Sequence, residues 1–356
     1  MRKHDFDFLI VGQGLAGSML AYCLIKAEFS VLVVDNYHQG SASKIAAGII
    51  NPITGHRLNL TTGFEHYFPS ATKLYRQLEQ DLNLVLLHPI EQQRLIKNQG
   101  QLEYFLKREQ QQNYSAFLGA LEPLDINFRS NNYGSFNVKQ TALVDTSLLL
   151  SGIQTWLIER SSYRQEKLNY QTLLRQDKGF SIAGKTARQV IFCEGYQAIY
   201  NPWLEHLPFK LAKGEVLTIE TTSTLPDKLL NWSSWLLPHM RDTESRLARL
   251  GSNYDWNDLN LEPNPQTAIK LLASLAKFTH LEARLKHSEV GIRPTTVQRR
   301  PFVGPLSKLE NAYCFNGFGS KGCLLIPHYA QLLSDHLGAL KSSAEKPLPE
   351  YLTEWI

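Results

Sequence analysis

Short apolar runs that end at a glycine or an acidic residue mark the start of the chain. Phe6–Val11 is a nearly continuous apolar run, which predicts a buried parallel strand. Helical apolar spacing follows over Leu15–Lys26, and residues 30–34 form a second apolar run that ends at Asp35. The order strand, glycine turn, helix and strand predicts one parallel crossover unit.

The remaining pattern alternates between helical and strand periodicity, without an internal repeat or a low-complexity linker. Polar residues dominate 91–113 and predict a solvated helix there. Helical spacing predicts further helices over residues 68–82, 146–159, 267–278 and 321–340. Apolar runs predict further strands at residues 189–193, 215–220, 234–237 and 311–315.

This alternation predicts an α/β protein with a discontinuous nucleotide-binding domain and an inserted domain. The nucleotide-binding segments are residues 1–75, 140–200 and 300–356. The inserted substrate domain covers 76–139 and 201–299 and is expected to be α+β with an antiparallel sheet. A length of 356 residues fits two domains at roughly 150 residues each.

A glycine fingerprint follows the first strand. Gly12, Gly14 and Gly17 have the spacing G-x-G-x-x-G, and Asp35 ends the next strand. Such glycines permit a tight turn, approach of the backbone to a pyrophosphate and close helix packing, and the helix N-terminus attracts the phosphates. The alternative is a purely structural crossover. The motif predicts a dinucleotide site, with Asp35 as acceptor for a ribose hydroxyl, and does not separate NAD from FAD.

Two further small-residue segments extend this picture. Residues 41–52 read as a tight loop that lets a large planar group approach the backbone, or else as an ordinary surface loop. Residues 316–322 form a second strand–glycine–helix junction, whose helix N-terminus stabilises negative charge. Two such junctions at opposite ends of one chain favour a bulky flavin over NAD alone.

Arg293 lies in the segment Gly291-Ile292-Arg293-Pro294, between a glycine and a proline that restricts its backbone. A fixed guanidinium binds a carboxylate in bidentate fashion, although an isolated arginine is more often a surface residue. Tyr254 and His56 are candidates for polar contacts in the same pocket.

Composition excludes several classes of protein. With 43% hydrophobic and 20% charged residues the chain is not disordered, fibrous or a coiled coil. A net charge of +4 is too small to argue for nucleic acid. The four cysteines have neither C-x-x-C nor zinc-ligand spacing, so no metal is expected and a reducing compartment fits. No uninterrupted apolar run is long enough to span a membrane, and a cytoplasmic protein is expected.

Five segments together resemble the FAD-dependent oxidoreductases of the D-amino-acid oxidase, glycine oxidase and sarcosine oxidase group. They fall in the family's order over nearly the whole chain: VGQGLAG, SASKIAAGIINP, Cys193-Glu194-Gly195, GIRPTTVQRRPFVGPL and NGFGSKGCLLIP. GFGSKG is also similar to the flavin domain of the bifunctional enzyme for tRNA 5-methylaminomethyl-2-thiouridine modification. The methyltransferase domain of that enzyme is not expected in this chain, because the length leaves no room for it.

The resemblance implies a Rossmann-like FAD-binding domain and a role for each matching residue. The residues implied to bind the pyrophosphate are Gly12, Gly14, Leu15, Ala16, Gly17 and Gly195, with Asp35 at the ribose. Those implied to lie against the flavin are Ser43, Ala46, Ala47 and Gly48 at the ring and Gly317, Gly319, Ser320, Lys321 and Gly322 at its C2=O edge. Arg293 matches the arginine that binds the substrate carboxylate, and Lys321 would stabilise reduced flavin.

Some residues depart from the family pattern. Asp35 replaces a common glutamate, Cys193 and Glu194 replace Ala-Thr, and Phe318 replaces a histidine. The stretch that holds FAD covalently in sarcosine-oxidase-like members has no cysteine here, so FAD is expected to be non-covalent.

The resemblance implies oxidation of the C–N bond of a small amine or amino acid by hydride transfer to flavin N5, followed by imine hydrolysis. The alternatives are a flavin enzyme acting on a modified tRNA wobble base, a non-catalytic flavin-binding protein and an NAD dehydrogenase. A small-molecule partner is expected and nucleic acid is not. The substrate, its chirality, the electron acceptor, a side-chain base and the oligomeric state stay open.

Overall fold

The computed structural model describes residues 4–37, 40–124, 126–129, 133–171, 173–176, 179–182, 184–239, 246–341 and 346–353. The strands in chain order are β1 (Phe6–Val11), β2 (Val31–Asp35), β3 (Ile49–Ile50), β4 (Ile53–Thr54), β5 (Asn59–Leu60), β6 (Leu87–Pro89), β7 (Gln92–Leu95), β8 (Leu118–Glu122), β9 (Ser135–Val138), β10 (Ala142–Val144), β11 (Tyr163–Gln165), β12 (Leu174–Gln176), β13 (Gly179–Ile182), β14 (Lys185–Phe192), β15 (Ala212–Thr221), β16 (Leu229–Asn231), β17 (Trp235–Pro238), β18 (Leu247–Gly251), β19 (Ala283–Arg293), β20 (Phe302–Pro305) and β21 (Ala312–Asn316).

The helices are α1 (Leu15–Lys26), α2 (Ala42–Ile45), α3 (Phe64–Leu82), α4 (Gln99–Glu109), α5 (Thr146–Glu159), α6 (Pro265–Phe278), α7 (Gly322–Lys341) and α8 (Glu350–Thr353). Short 3₁₀ helices cover Gln112–Tyr114, Gly195–Tyr200 and Gly319–Lys321. The predicted first crossover is confirmed, because β1 and β2 pair in parallel on either side of α1 in the chain.

The first sheet has the order β11-β2-β1-β14-β13-β12, with β21 also paired to β14 and β20 to β21. It is buried on both faces. Phe8 and Ile10 of β1 pack towards α1, α3, α5 and α7, while Leu9 and Val11 join a core on the opposite side. Burial on both faces explains the continuous apolar runs of its parallel strands.

The second sheet has the order β19-β15-β18-β17-β16-β7-β9-β8, and only the β16–β7 pair among these is parallel. Its outer face packs Leu217, Leu250 and their neighbours against Leu271 and Leu275 of α6. The mixed α/β class with an antiparallel second sheet is thereby confirmed, while the domain boundaries drawn from the sequence stay a prediction.

The predicted solvated helix over residues 91–113 is wrong in its first part. Residues 92–95 form the strand β7 inside the second sheet, and a helix begins only at Gln99. Arg94 is buried there, and its Nη1 and Nη2 donate to the carbonyl oxygens of Ile53 and Gly55 at 2.9 and 2.6 Å. These carbonyls, about 40 residues away in the chain, pair with the guanidinium of a polar strand that local composition does not identify.

Candidate active site

Three glycine junctions meet at one edge of the first sheet. Strands β1, β14 and β21 are parallel neighbours, and Phe192 of β14 lies opposite Val11 on one side and Cys314 on the other. Each strand ends in a junction, at residues 12–17, 193–195 and 317–322. A Cβ added at Gly322 would lie 3.7 Å from Leu15 Cδ2, so the first and last junctions are adjacent. Ligands of open α/β sheets bind in such a crevice outside the carboxyl ends of the strands.

The first junction has backbone donors that no described residue accepts. Gly12 has φ +100°, and a Cβ at Gly17 would overlap with the Gly12 carbonyl oxygen, so helix and strand need glycine at both places. The amides of Gly14, Ala16 and Gly17 have no acceptor among the described residues. Donors at the start of a helix attract anions. The junction therefore fits a pyrophosphate.

Two side chains brace this junction. Asp35 accepts from the amide of Gln13 at 2.7 Å and from that of Tyr37 at 2.6 Å. Ser43 Oγ accepts from the amide of Leu15 at 3.0 Å. The hydroxyl of Ser43 thus lies at the first junction, whereas the sequence placed this residue against the flavin ring.

The loop after α2 is fixed by an arginine that the sequence did not single out. Arg249 Nη1 donates to the Ala46 carbonyl at 2.9 Å and Nη2 to that of Ile45 at 2.7 Å. Gly48 has φ +75°, and a Cβ there would overlap with the Val144 backbone. The loop is thus held between the second sheet and β10.

A cavity of about 230 Å³ lies beside this loop, and its walls include Ala46, Ala47, Thr218 and Arg249. Lys44, also on the wall, has its Nζ 3.5 Å from the centre of the Tyr37 ring. Burial lowers the pKa of Lys44. The cavity leaves room for a group next to the alanines that the sequence proposed for the ring.

The middle junction is tied to the last one. Gly195 has φ +59° with open space where a Cβ would be, and Asn316 Nδ2 donates to its carbonyl at 2.9 Å. The preceding Glu194 is buried and accepts from Tyr170 Oη at 2.5 Å and from Asn201 Nδ2 at 2.7 Å. Burial raises the pKa of Glu194 to about 7, against the lowering effect of these two hydrogen bonds.

The last junction rests on the segment after β19. The Gly319 amide donates to the Pro294 carbonyl at 3.2 Å, and a Cβ at Gly319 would lie 2.9 Å from Thr295 Cγ2. The Lys321 side chain reaches solvent, yet desolvation and the like charge of Arg299 lower its pKa. A lysine and the N-terminus of α7 therefore bring positive charge to this junction.

Arg293 ends β19 one residue before Pro294. Its Nη2 donates to Ser252 Oγ at 2.9 Å, its Nη1 to the Asn253 carbonyl at 3.2 Å, and its Cζ lies 4.1 Å from the centre of the Tyr254 ring. No carboxylate pairs with this guanidinium in the part of the chain that the structure describes. A positioned cation without a carboxylate partner beside the last junction suits an anionic substrate.

Tyr254, a candidate from the sequence, therefore does contact Arg293. His56, the other candidate, is exposed in the β4–β5 hairpin, with its ring 5.9 Å from that of Tyr104. The structure does not bring His56 to Arg293. Ser252 and Asn253 were missed because single polar residues in a loop carry no periodic signal, whereas Asn316 ends β21 within a segment that the sequence singled out.

Comparison with known families decides the class of the protein. The family model of FAD-dependent oxidoreductases named DAO matches residues 7–336. The chain belongs to this family. It is therefore an FAD-dependent oxidoreductase, and the expected cofactor, FAD, is confirmed.

Individual relatives are distant. The oxidoreductase is 23% identical to the bifunctional protein MnmC of tRNA 5-methylaminomethyl-2-thiouridine biosynthesis from Legionella pneumophila, over 99% of this chain and 57% of that protein. The chain thus spans little more than half the length of such curated relatives.

Solved structures share the fold. Glycine oxidase from Geobacillus kaustophilus matches with a TM-score of 0.80 at 17% identity, covering 99% of this chain and 98% of its own. Iminodiacetate oxidase from Chelativorans matches with a TM-score of 0.74 at 18% identity, covering 96% and 97%.

Two further classes of feature are absent from the described residues of this oxidoreductase. No helix there has the length and apolar character needed to cross a bilayer. Nor do those residues contain a group of three or more His, Cys, Asp or Glu side chains arranged to hold a metal ion.

Proposed function

We propose that this oxidoreductase oxidises the C–N bond of a small amine or amino acid whose carboxylate binds Arg293. The observation that carries the proposal is the guanidinium of Arg293, which lacks a carboxylate partner among the described residues and adjoins the last glycine junction through Pro294. The fold that the chain shares with glycine oxidase and iminodiacetate oxidase supports the same class of substrate.

The residues that would hold FAD are those of the three junctions. The free amides of Gly14, Ala16 and Gly17 would bind its pyrophosphate. An ionised carboxylate has about four acceptor positions, so Asp35, which uses two of them on backbone amides, keeps capacity for a ribose hydroxyl.

The residues proposed for the flavin ring lie in the loop after α2 and at the last junction. Ala46, Ala47 and Gly48 would lie along the ring, because they line or adjoin the cavity beside the loop. Gly317, Gly319, Ser320, Lys321 and Gly322 would face its C2=O edge, where α7 begins. Ser43 is assigned to the phosphate end, because its hydroxyl accepts from Leu15.

We expect FAD to be held without a covalent bond. All four cysteines are free and buried: Cys23, Cys193, Cys314 and Cys323. Burial raises the pKa of each of these thiols, so none is a reactive thiolate. Denaturation should therefore release the yellow chromophore into the supernatant.

In this proposal the chain positions the substrate and the cofactor supplies the oxidant. When bound, FAD would supply the hydride acceptor that is needed to convert the substrate's C–N bond to C=N. Arg293 fixes the carboxylate, which orients the α C–H bond. The positive charge of Lys321 and of the α7 N-terminus would stabilise negative charge that develops at the last junction during the reaction. Water then hydrolyses the imine to a carbonyl compound and an amine or ammonia.

The test is anaerobic mixing of the holoenzyme with amino acids, N-methyl amino acids and amines without a carboxylate, followed as loss of absorbance near ~450 nm. Arg293→Ala should raise the apparent Kd of carboxylate substrates roughly 10- to 150-fold, the range for losing a charge-assisted hydrogen bond. Readmission of oxygen then separates oxidase from dehydrogenase behaviour.

The matched control is Arg284→Ala, on the exposed part of the same strand, where Arg284 pairs with Glu220. It should leave bleaching unchanged. The proposal is refuted if no compound on the panel bleaches the flavin, or if Arg293→Ala and Arg284→Ala behave alike.

A second candidate function is oxidation of a modified base in tRNA. It is favoured by the sequence likeness to the bifunctional tRNA biosynthesis protein, which extends over 99% of this chain. A tRNA mobility-shift assay at two salt concentrations tests it. Binding that weakens steeply between 50 and 200 mM salt, roughly 10³-fold or more for six or more phosphate contacts, would favour this candidate.

A further inference from the structure

Two aromatic rings stand exposed next to Arg293. Tyr254 and Trp256 keep 49% and 44% of their surface open, and their ring centres lie 6.0 Å apart with planes inclined by 27°. Aromatic side chains bury large apolar areas when they can, and exposed pairs mark places where another group binds.

Contacts at both ends link the two rings to residues of the candidate site. Arg293 packs on Tyr254, and at the other end Lys210 Nζ lies 5.0 Å from the centre of the Trp256 ring. The Lys210 amide donates to the Thr295 carbonyl at 2.7 Å, and the Thr295 hydroxyl donates to the Lys210 carbonyl. Thr295 in turn contacts the last glycine junction. The pair therefore borders the place where the proposed carboxylate and cofactor meet.

The segment beneath the rings is held rigid by a buried lysine. Lys213 has no exposed surface, and its Nζ donates to Asp258 Oδ2 at 3.1 Å, Asn260 Oδ1 at 2.7 Å and the Glu262 carbonyl at 2.7 Å. Its amide and carbonyl also exchange hydrogen bonds with those of Asp255, the residue between the rings. A segment fixed in this way loses little conformational entropy when a ligand binds.

We propose that Tyr254 and Trp256 form an aromatic platform that binds a flat ring carried by the substrate. The substrate class is an amino acid, or an N-substituted one, with an aromatic or heteroaromatic substituent. Arg293 packs on Tyr254 and Lys210 lies over Trp256, so the substrate ring would bind to the surface that these two cations leave open. The cations Arg293 and Lys210 at the two ends attract the electron-rich face of such a ring. The inference rests on the proposed function through the carboxylate at Arg293.

The test uses two ligands that have no amine to oxidise. Calorimetric titration of the holoenzyme compares 3-phenylpropanoate with 3-cyclohexylpropanoate, which match in length and differ in the flat aromatic ring. The phenyl ligand should bind about 2- to 12-fold more tightly, the range of aromatic pair energies. Trp256→Leu should abolish this preference, and Trp256→Phe should keep most of it.

The matched control is Tyr200→Leu, which removes another exposed ring, open over 68% of its surface. It should leave both Kd values unchanged. An equal affinity for the two ligands in the wild type, or a preference that survives Trp256→Leu, overturns the platform. The platform is also overturned if sedimentation shows a concentration-dependent dimer that Trp256→Leu dissociates while the ligand preference stays the same. In that case the two rings would serve self-association.

The same titration separates this inference from the proposed function. If Arg293→Ala weakens both ligands and Trp256→Leu removes only the preference, both hold. If Arg293→Ala weakens both ligands while the preference is absent, the carboxylate site stands and the platform fails. If Arg293→Ala leaves both ligands unchanged, the proposed carboxylate site fails, and the platform with it.

Discussion

Gly214 lies on β15 beneath the guanidinium of Arg293, and this close approach gives a sharp prediction. A Cβ at position 214 would come within 3.0 Å of Nη1, Nη2 and Cζ of Arg293, closer than carbon atoms approach such groups. Gly214 has no positive φ, so its backbone accepts alanine. Gly214→Ala should therefore displace the guanidinium and leave the strand in place.

The size of the effect follows from what the displacement breaks. To regain a separation of about 3.5 Å the guanidinium must withdraw by roughly 1 Å. That movement breaks or stretches its hydrogen bonds to Ser252 Oγ and the Asn253 carbonyl, which hold it at 2.9 and 3.2 Å. A misplacement of ~1 Å costs on the order of 100-fold in a positioned site. We expect the Kd of carboxylate ligands to rise ~10- to 100-fold.

The assay is titration of the holoenzyme with a carboxylate ligand, together with FAD content and Tm. FAD content should not change, and Tm should change little, because the lower freedom of the unfolded chain, about 0.4–1 kcal/mol, offsets the hydrogen bonds that the guanidinium loses. Gly338→Ala on α7 is the control, because a Cβ there meets nothing within 4 Å.

A double mutant decides whether the effect passes through Arg293. In an Arg293→Ala background the overlapping atoms are gone, so Gly214→Ala should cost no further affinity. If the two substitutions weaken binding additively, or if Gly214→Ala lowers Tm without changing ligand affinity, the reasoning is wrong.

Two other predictions concern the cofactor side. Burial raises the pKa of Glu194 from 4.5 to about 7, so between these pH values the native state holds a proton that the unfolded state has released. As pH rises from about 4.5 to about 7, this group therefore lowers the free energy of unfolding by ~3 kcal/mol in total. Glu194→Gln should flatten the fall of Tm with pH measured from pH 5 to 8. Arg249→Met should leave the Ile45 and Ala46 carbonyls without their donors and raise the Kd of FAD ~10- to 100-fold, measured by absorbance after ultrafiltration.

Controls are available for both. Glu205→Gln, which removes an exposed carboxylate, should leave the pH dependence of Tm as it is. Arg188→Met, at an exposed position of β14, should leave FAD retention unchanged. An unaltered slope in Glu194→Gln, or equal FAD retention in Arg249→Met and Arg188→Met, would contradict these two interpretations.

The elements predicted best are those whose sequence pattern is set by their own burial. The bounds of β1 and α1 agree with the sequence, because the strand is buried on both faces and Gly14 marks the start of the helix. Strand β7 escaped prediction, because Arg94 is paired with carbonyls about 40 residues away. Helix α3 begins at Phe64, four residues earlier than predicted, after Gly63 in the left-handed region.

The candidate site shows the same division. The glycine junctions could be predicted from the sequence, because a tight turn or a close approach of backbone segments requires glycine at that position. Partners of Arg293 lie elsewhere in the chain, with Gly214 on β15 and Ser252 after β18, so no local pattern joins them. Arg249 supports the loop at Ala46 from about 200 residues away. Such pairings arise only when the two sheets come together.

The place of β21 in the first sheet has a consequence for synthesis on the ribosome. Its partner β14 is translated about 120 residues earlier, which corresponds to roughly 6 to 24 s of elongation. During that interval residues 190–192 of β14 form an exposed strand edge with unpaired backbone groups. Such an edge can pair with another chain unless a chaperone covers it. The last glycine junction, which follows β21, is therefore completed only late in synthesis.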